Sequence, residues 1–485
     1  MFQRIFSLAR HTAIYGPGDL PMRMAAVVLL PIYARHLSLT DNGVVSLSFA
    51  FIGCCTVLYS LCINPALLRL LSGKTDLFAH RQAFSSAFWT LLTVGLVLSG
   101  VCWSGATYLS EIVLDSKTQG HIFKLIAIII FFDTLSEPMF TVCWARQQSV
   151  RFALGRFAQY AIQLGLTAYF IVGLHRGPEA VILANAISSV FAFIAILPSG
   201  LLFLRPVFNT QDLRSLFVFG LPFLPSALSV LIINLSDRFF IRYLLGIQDV
   251  GIYGIVCTIG LPVFFVAKAF YAAWAQVVIQ ATSADETRHM CARITTYFAL
   301  IGLFLCLMLT TYTQDIIALI AGKNALAYLP GAPVVPIVAL SFLGYGFYVI
   351  LTAGMTGKPR SLPVIVGAIT NMVVNLALLP TIGFVAAAWS TLITCGMMAV
   401  LLYFHVRQFY PVPYEYARLG KIVITTIIVF LALSGYLHDT TPEGIIARGI
   451  FLIGYPLILW GWQFFEPGEL QNIGRLFYSI GKIEK

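Results

Sequence analysis

Residues 356–394 read TGKPRSLPVIVGAITNMVVNLALLPTIGFVAAAWSTLIT, and this stretch decides the fold. A short basic segment is followed by an apolar stretch, a turn at Gly383 and a second apolar stretch. About twenty apolar residues is the length that an α-helix needs to cross the hydrocarbon layer of a membrane, which is roughly 30 Å thick. The pattern therefore predicts two consecutive transmembrane helices joined by a tight turn.

The same alternation of apolar stretches and short polar segments fills the whole chain. Of its 485 residues, 59% are hydrophobic and 10% are charged, whereas soluble domains carry roughly a quarter charged residues. The sequence predicts an all-α, polytopic integral membrane protein with about fourteen transmembrane helices and no sizeable domain outside the membrane. The predicted spans are 13–35, 44–70, 84–109, 121–145, 156–174, 180–204, 216–243, 250–274, 294–312, 333–355, 362–382, 384–404, 420–437 and 446–464.

The distribution of Lys and Arg predicts the orientation in the membrane. The net charge is +10, but the basic residues occupy short loops rather than a dense patch with interleaved aromatic residues, which argues against a nucleic-acid partner. With five residues inside spans set aside, about 19 Lys and Arg fall on the side of the N-terminus and about 6 on the other side. Cytoplasmic loops carry such an excess, so we expect a protein of the inner (cytoplasmic) membrane with both termini in the cytoplasm.

The chain resembles itself at an offset of about 204 to 208 residues. The matching positions are Gly16, Leu20 and Pro21 with Gly220, Leu224 and Pro225; Tyr33, Arg35 and Leu37 with Phe240, Arg242 and Leu244; and Asp41 and Gly43 with Asp249 and Gly251. A repeat of six spans gives two bundles of like orientation, related by a pseudo-two-fold axis along the membrane normal. The predicted units are a six-helix lobe at 1–209, a second at 210–410, and two further helices with a cytoplasmic tail at 411–485. The alternative is that Gly and Pro only mark helix starts.

Several ionisable residues remain inside the predicted spans, where each costs about 2.5–3.5 kcal/mol to insert. The cationic set is Arg23, Arg238, Arg242 and Lys268. The acidic set is Asp19, Asp133, Glu137 and Asp237. Asp133 and Glu137 are four residues apart and therefore share a helix face. The first helix is expected to be broken by its prolines, Pro17, Pro21 and Pro31.

Two interpretations of these charges stay open. In the functional one, the cationic set lines a water-filled cavity and binds an anionic group such as a diphosphate, which suits arginine. The acidic set then balances the charge or takes up protons. In the structural one, Asp19 with Arg23 and Asp237 with a basic neighbour are ion pairs, while Lys268 and Arg242 extend to the membrane surface.

Signals of an enzyme or of a metal site are poor. The eight histidines lack ligand spacing, and the nine cysteines include no C-x-x-C pair. Gly73-Lys74-Thr75 resembles the end of a phosphate-binding loop, but Leu68 stands where the first glycine belongs. We expect no metal and no cofactor.

Residues 237–255, DRFFIRYLLGIQDVGIYGI, resemble the signature of Wzx-like polysaccharide (oligosaccharide-lipid) flippases in the multidrug/oligosaccharidyl-lipid/polysaccharide exporter superfamily. The opening at 15–43 is similar to the first helix of this family. Residues 356–394 add further features of the family, namely Asn371, Asn375, Pro380 and a Gly-x-x-[GA]-A-A turn at Gly383. Ala386 replaces the usual second glycine of that turn.

The resemblance implies a flippase that moves a polyprenyl-diphosphate-linked oligosaccharide between leaflets by alternating access, for O-antigen, capsule or exopolysaccharide biosynthesis. Membrane lipid, a polysaccharide polymerase and chain-length proteins are the implied partners. In that family, cationic residues of a central cavity accommodate the diphosphate and sugars. The matching positions are Arg23, Asp237, Arg238, Arg242 and Lys268.

Two alternatives remain. A cation-coupled drug or metabolite exporter, or a lipid II flippase, would have the same architecture. A membrane-embedded polysaccharide polymerase, ligase or glycosyltransferase is an alternative of another class. Such enzymes generally need a large loop, whereas the longest outside loop, near 312–331, is short and contains no clustered carboxylates. The sequence therefore favours a transporter over an enzyme.

Overall fold

Long apolar stretches form helices because a membrane offers the backbone no other hydrogen-bond partners. The computed structural model describes residues 20–73, 77–146, 148–280, 284–353, 362–437 and 441–465. These residues form twenty α-helices and no strand. In order they are α1 (Leu20–His36), α2 (Leu39–Ser60), α3 (Ile63–Gly73), α4 (Leu77–Ser104), α5 (Ala106–Leu114), α6 (Gly120–Ala145), α7 (Ser149–Ala168), α8 (Pro178–Leu201), α9 (Thr210–Gly220), α10 (Leu224–Leu244), α11 (Ile247–Ile259), α12 (Leu261–Gln280), α13 (Ala284–Thr311), α14 (Thr313–Ala321), α15 (Ala325–Tyr328), α16 (Val334–Ala353), α17 (Leu362–Ile382), α18 (Val385–Arg407), α19 (Tyr416–Leu433) and α20 (Pro442–Gly461).

Each predicted span overlaps at least one of these helices, which confirms the all-α, multi-pass architecture. Within the described chain, 11 helical stretches are long and apolar enough to cross a membrane, or up to 12 if the bent pair α11–α12 is one span. The two remaining predicted spans are the first and the fifth. The first contains a shorter apolar helix, Ala26–His36. The fifth is α7, which is less apolar because it carries Arg151, Arg156 and two glutamines.

Three spans are interrupted where the two halves meet. The second span breaks between α2 and α3 at Leu61 and Cys62, which both adopt positive φ. The seventh passes through a short 3-10 turn, Leu221–Phe223, between α9 and α10. The eighth bends by 45° between α11 and α12.

The first helix does not show the expected interruption at Pro31. Helix α1 runs through Pro31 to His36, so the prediction of a break at this residue is wrong, whereas Pro21 stands at the start of the described helix and a break there stays a prediction. A proline is tolerated inside a membrane helix because neighbouring groups can satisfy the backbone carbonyl that it frees. Pro17 lies outside the described residues.

Corresponding pairs of spans pack together in both halves. In the first half α4 packs on α6, α6 on α8, and α7 on α8. The counterparts in the second half are α13 on α16, α16 on α18, and α17 on α18. This repeated packing is that of two six-helix bundles related by a pseudo-two-fold axis. The lobe boundaries 1–209, 210–410 and 411–485 stay predictions, and residues 210–220 (α9) pack on α3 and α4 of the first lobe.

The two lobes share a hydrophobic core at one end only. We call the end with the turns 37–38, 245–246 and 383–384 the short-turn end, and the opposite end, with most of the basic loops, the basic end. Toward the short-turn end, Val44 of the first lobe and Tyr328 of the second belong to one buried cluster. Toward the basic end, the first lobe has its own core, which only α9 joins from beyond residue 209. The lobes are therefore joined at the short-turn end and have separate cores at the basic end.

The last two helices pack on the second lobe. Buried residues of α13, α19 and α20 form a separate cluster, and a buried arginine, Arg448 in α20, fixes their position. Its Nη1 donates to Asp315 Oδ2 at 2.7 Å and to the Thr311 carbonyl at 2.8 Å, while Nη2 lies 3.3 Å from Asp315 Oδ1. This fork ties α20 to the corner between α13 and α14.

We expect Arg448→Met to lower stability by roughly 2–3 kcal/mol, because it leaves the Asp315 carboxylate without its counter-charge. In a thermal-unfolding measurement in detergent, this corresponds to a midpoint lower by roughly 5 °C. The double variant Arg448→Met/Asp315→Asn should recover part of the loss, since no charge is then left unpaired. Arg176→Met, at an exposed arginine, is the control. An unchanged midpoint for Arg448→Met would contradict the anchoring role.

Candidate functional site

The lobes cross most closely where α2 meets α11, at two glycines that the internal repeat relates. A Cβ added at Gly43 would overlap the carbonyl oxygen of Ile247, and a Cβ added at Gly251 would overlap that of Leu39. The two contacts are reciprocal, because both pairs are related by the repeat offset of about 208 residues. Only glycine allows such an approach of two backbones. We call this pair of contacts the glycine crossing.

Arg35, at the end of α1, links the first lobe to the second at the short-turn end. Its Nε donates to the Ile320 carbonyl at 3.0 Å and its Nη2 to the Leu319 carbonyl at 2.6 Å. Both carbonyls belong to the last turn of α14, where the helix dipole favours a cation. Asn42 Nδ2 adds a 2.9 Å bond to the Tyr328 hydroxyl, and burial raises the pKa of Tyr328 to about 12, so that this hydroxyl stays protonated.

Arg242, in α10, makes the corresponding contact from the second lobe to the first. Its Nη2 lies 3.4 Å from Asp115 Oδ2, at the end of α5 in the first lobe. Arg242 is the repeat counterpart of Arg35, and α5 and α14 are the short helices that follow the third and ninth spans. We call the contacts of Arg35 and Arg242 the arginine clamp. Arg242 was predicted as a cavity residue, and the structure places it in this clamp.

One helical turn before Arg242 in α10, Arg238 bridges the two lobes inside the membrane-spanning region. Its Nε donates to Ser46 Oγ of α2 at 3.1 Å, and its Nη1 donates to the Asn234 carbonyl at 2.9 Å. Nη1 also lies 3.3 Å from Asp237 Oδ1. The buried Asp237 carboxylate accepts a second bond, at 2.7 Å, from the Tyr253 hydroxyl. Asp237 and Arg238 are therefore paired, as the structural interpretation expected.

The pairing does not use the whole guanidinium group of Arg238. Its Nη2 has no hydrogen-bond partner among the residues that the structure describes. The side chain keeps 21% of its surface exposed, so this nitrogen is accessible to a ligand. A guanidinium held by Nε and Nη1 is preorganised to donate from Nη2 to an anion such as a phosphate oxygen.

Asp133 and Glu137 do face the same way on α6, but their partner was not foreseen. Arg156 of α7 donates through Nη2 to Glu137 and through Nη1 to Gln159 Oε1 at 3.1 Å. Gln159 Nε2 in turn lies 3.4 Å from Asp133 Oδ1. The sequence analysis counted Arg156 among the basic residues of a loop. In the structure it lies inside α7, where its side chain is beside the two carboxylates. Within the first lobe, Glu137 is thus paired with Arg156, and Asp133 contacts the neutral amide of Gln159.

The remaining members of the two sets are placed as follows. Lys268 is exposed on α12, with Nζ 5.5 Å from the centre of the Phe264 ring. Only the backbone of Arg23, in α1, is described. Asp19 lies outside the described residues. The structure therefore brings Asp237 and Arg238 together, and the roles of the others stay predictions.

Sequence reasoning did not identify the buried amide cluster that joins α10 to α17. Asn371 Oδ1 accepts bonds from Ser236 Oγ at 3.1 Å and from Asn375 Nδ2 at 3.0 Å. Ser390 Oγ donates to the Asn371 carbonyl at 2.9 Å. The two asparagines were noted as features of the family, and their spacing of four residues was the available signal. The cluster fixes α10, which carries Arg238, against the second lobe.

In the described part of the chain, no group of three or more His, Cys, Asp or Glu side chains could hold a metal ion. The chemistry that the side chains of this site offer is anion binding by arginine, beside the closest contacts between the lobes.

A family model described as "Polysaccharide biosynthesis protein" matches residues 32–266, which include both sides of the glycine crossing and the Arg238 site. The match covers just under half of this chain, which is therefore similar to this polysaccharide biosynthesis family over that part. It agrees with the resemblance noted in the sequence. No significant match among curated protein sequences was found for this chain.

Solved structures show the same fold. The lipid II flippase MurJ, in an inward closed conformation, superposes with a TM-score of 0.74 at 12% identity, over 92% of this chain and 98% of that one. An inward-facing multidrug resistance MATE transporter of the MOP superfamily gives 0.67 at 13% identity, over 83% and 96%. A MOP superfamily transporter from Pyrococcus furiosus gives 0.59 at 13% identity, over 84% and 96%. This chain thus has the fold of these flippase and transporter structures.

Proposed function

We propose that this protein is a flippase that moves a polyprenyl-diphosphate-linked oligosaccharide across the cytoplasmic membrane, in the biosynthesis of a surface polysaccharide such as O-antigen, capsule or exopolysaccharide. The observation that carries the proposal is Arg238, a membrane-depth arginine between the lobes with one free donor nitrogen. A diphosphate is the anionic part of such a substrate, and arginine binds phosphate through charge-assisted hydrogen bonds.

The arrangement of the lobes supports transport by alternating access. The glycine crossing and the arginine clamp hold the short-turn end closed, whereas the lobes have separate cores at the basic end. A substrate headgroup enters from the basic end and reaches Arg238. Rigid-body rotation of the lobes then breaks the clamp and exposes the site at the short-turn end.

The excess of basic residues assigns the basic end to the cytoplasm in this proposal, with both termini there and the short-turn end facing the periplasm. The proposed lobes are residues 1–209 and 210–410, and 411–485 add two helices and a tail. Membrane lipid surrounds the protein, and polysaccharide polymerase and chain-length proteins are its proposed partners in the pathway.

A lipid II flippase is a second candidate, because lipid II also carries a polyprenyl diphosphate and the MurJ fold covers 92% of this chain. A drug exporter is less well supported, since the buried carboxylate at the lobe interface, Asp237, is already neutralised by Arg238 and Tyr253. A cationic drug would need a carboxylate that is free to bind it.

The test is leaflet transfer in reconstituted vesicles. We expect vesicles with the purified protein to move a polyprenyl-diphosphate-linked oligosaccharide to the opposite leaflet, measured by the accessibility of its sugar to an added enzyme or lectin. The rate should rise with the amount of protein, and the glycan should keep its length because no covalent bond changes. Protein-free vesicles and a polyprenol-linked sugar without phosphate are the controls.

The outcomes separate the candidates. Transfer of lipid II but not of longer oligosaccharides would favour the second candidate. A longer or shorter glycan would mean an enzyme and overturn the proposal. Equal transfer with and without protein would also reject it.

A further inference from the structure

A pocket of about 270 Å³ lies between the end of α18, the linker 408–415 and the start of α19. It is distinct from the Arg238 site, because it lies at the basic end, at the junction of the second lobe with the last two helices. Its lining contains four tyrosines and one arginine; the residues that the argument uses are Tyr403, Arg407, Tyr410, Val412, Tyr414 and Tyr416.

The position of the pocket sets its depth in the membrane. Helix α18 is a candidate span that ends at Arg407, and α19 is a candidate span that begins at Tyr416. A cavity at the ends of two adjacent spans lies at the level of the lipid headgroups, where tyrosine is common. Its ligand therefore comes from the polar surface of the bilayer rather than from the hydrocarbon layer.

The charge around the pocket is positive. Arg407 is exposed at the end of α18, and the guanidinium of Arg288 lies 5.2 Å from the centre of the Tyr410 ring. Glu415 is the one acidic residue between 403 and 416 in the sequence. It is already engaged, with Arg418 Nη1 at 3.1 Å and Arg293 Nε at 3.9 Å. Within the described residues, the charge of Arg407 is thus left for an anion.

Tyrosine hydroxyls supply the neutral polar groups. The Tyr403 and Tyr416 hydroxyls lie 2.7 Å apart, and the Tyr403 and Tyr414 rings pack with centroids 5.8 Å apart. Burial raises the pKa of the Tyr414 hydroxyl above its usual value, so it stays protonated and can donate. Such hydroxyls suit the ester and hydroxyl oxygens that surround a headgroup phosphate.

Aromatic residues at this depth also anchor helices without binding anything, but anchoring alone explains neither a cavity nor an uncompensated arginine beside it. We propose that this pocket binds the phosphate of a lipid headgroup, with Arg407 holding the phosphate and the tyrosine hydroxyls its neighbouring oxygens. Its volume is slightly below the roughly 300–1,000 Å³ of drug-sized ligand sites, so it takes a headgroup rather than a whole oligosaccharide. The phosphate belongs to a bilayer phospholipid or to a polyprenyl diphosphate that waits to enter the transport site.

Native mass spectrometry of the full-length protein in detergent tests this proposal. The probes are phosphatidylglycerol, polyprenyl diphosphate and, as the phosphate-free control, diacylglycerol. Arg407→Gln removes the charge, and Val412→Phe fills the pocket without changing any charge. Arg205→Gln is the matched control, because Arg205 is also exposed in a basic-end loop but lies in the first lobe.

We expect Arg407→Gln, which removes a charge-assisted hydrogen bond, and Val412→Phe, which occupies the pocket, each to weaken binding of at least one phosphate lipid by about tenfold. Arg205→Gln should bind like the unmodified protein, and diacylglycerol binding should not change. Weaker binding of polyprenyl diphosphate alone identifies the substrate as the occupant, and weaker binding of phosphatidylglycerol, alone or with it, identifies bilayer lipid. Unchanged affinities in both pocket variants, or an equal loss in Arg205→Gln, would overturn the proposal.

The polyprenyl diphosphate arm rests on the proposed function, whereas the phosphatidylglycerol arm does not. Because binding is measured without transport, a protein that flips nothing can still show the site. A protein that flips its substrate normally but binds all lipids equally in every variant would refute the pocket alone.

Discussion

Replacing Arg238 with glutamine is expected to slow leaflet transfer of the lipid-linked oligosaccharide by about 10- to 100-fold. A hydrogen bond to a charged group contributes about 1.5–3 kcal/mol, and glutamine offers neither the charge nor the Nη2 donor. Arg238→Lys should give an intermediate rate, because it keeps the charge but cannot donate to Ser46 and to a ligand with the same fork geometry. The measurement is the vesicle transfer rate per correctly inserted protein.

A second variant distinguishes a substrate-binding role from a purely structural one. Arg238→Gln leaves the buried Asp237 without its counter-charge, so a loss of activity alone could reflect a damaged fold. The double variant Asp237→Asn/Arg238→Gln removes both charges and should recover thermal stability. If transfer recovers with it, Arg238 is a structural partner of Asp237 and the cationic site is refuted. If transfer stays slow while the protein is stable, Arg238 acts on the substrate.

The glycine crossing should be equally sensitive to small changes. In Gly251→Ala the added methyl overlaps the Leu39 carbonyl, so α2 and α11 must move apart before the short-turn end can close. Overpacking of this kind costs about 1–3 kcal/mol, which shifts an equilibrium between closed and open lobes by about 5- to 150-fold. We expect Gly251→Ala, and likewise Gly43→Ala, to transfer substrate at less than a tenth of the normal rate.

Distance measurements between spin labels can check the cause. Labels at Lys117 and Lys323, which are exposed near the short-turn end of the two lobes, should report a longer distance in Gly251→Ala. The nine native cysteines, all free thiols, have to be replaced first. Gly100→Ala is the control, since its added Cβ meets no atom within 4 Å. An unchanged distance distribution in Gly251→Ala would mean that the crossing does not govern closure.

The spans could be predicted because each is a local property, an apolar stretch of sufficient length. Interruptions were harder to predict. Leu61 and Cys62 break the second span with positive φ, although neither residue type favours that conformation. Pro31, an obvious helix breaker, leaves α1 continuous. Packing against other helices decided these points, and a single sequence does not display that packing.

In the candidate site, too, local features could be predicted and contacts between helices could not. The pairing of Asp237 with Arg238 was open to prediction because the residues are adjacent. Arg156 was assigned to a loop because it follows other basic residues, and its contact with Glu137 requires two helices to be side by side. The internal repeat did carry a usable long-range signal. It related Arg35 to Arg242, and in the structure each contacts the opposite lobe, Arg35 through two backbone carbonyls of α14 and Arg242 through the Asp115 carboxylate.

The glycine crossing also has a mechanical consequence. Because it lies near one surface of a membrane that is roughly 30 Å thick, it acts as a fulcrum with a long lever arm toward the other surface. A rotation of one lobe by ~10° about this point would displace its far end by ~5 Å, while the backbones at the fulcrum barely move. In the proposed transport cycle, a small rigid rotation therefore admits the headgroup without unfolding any helix.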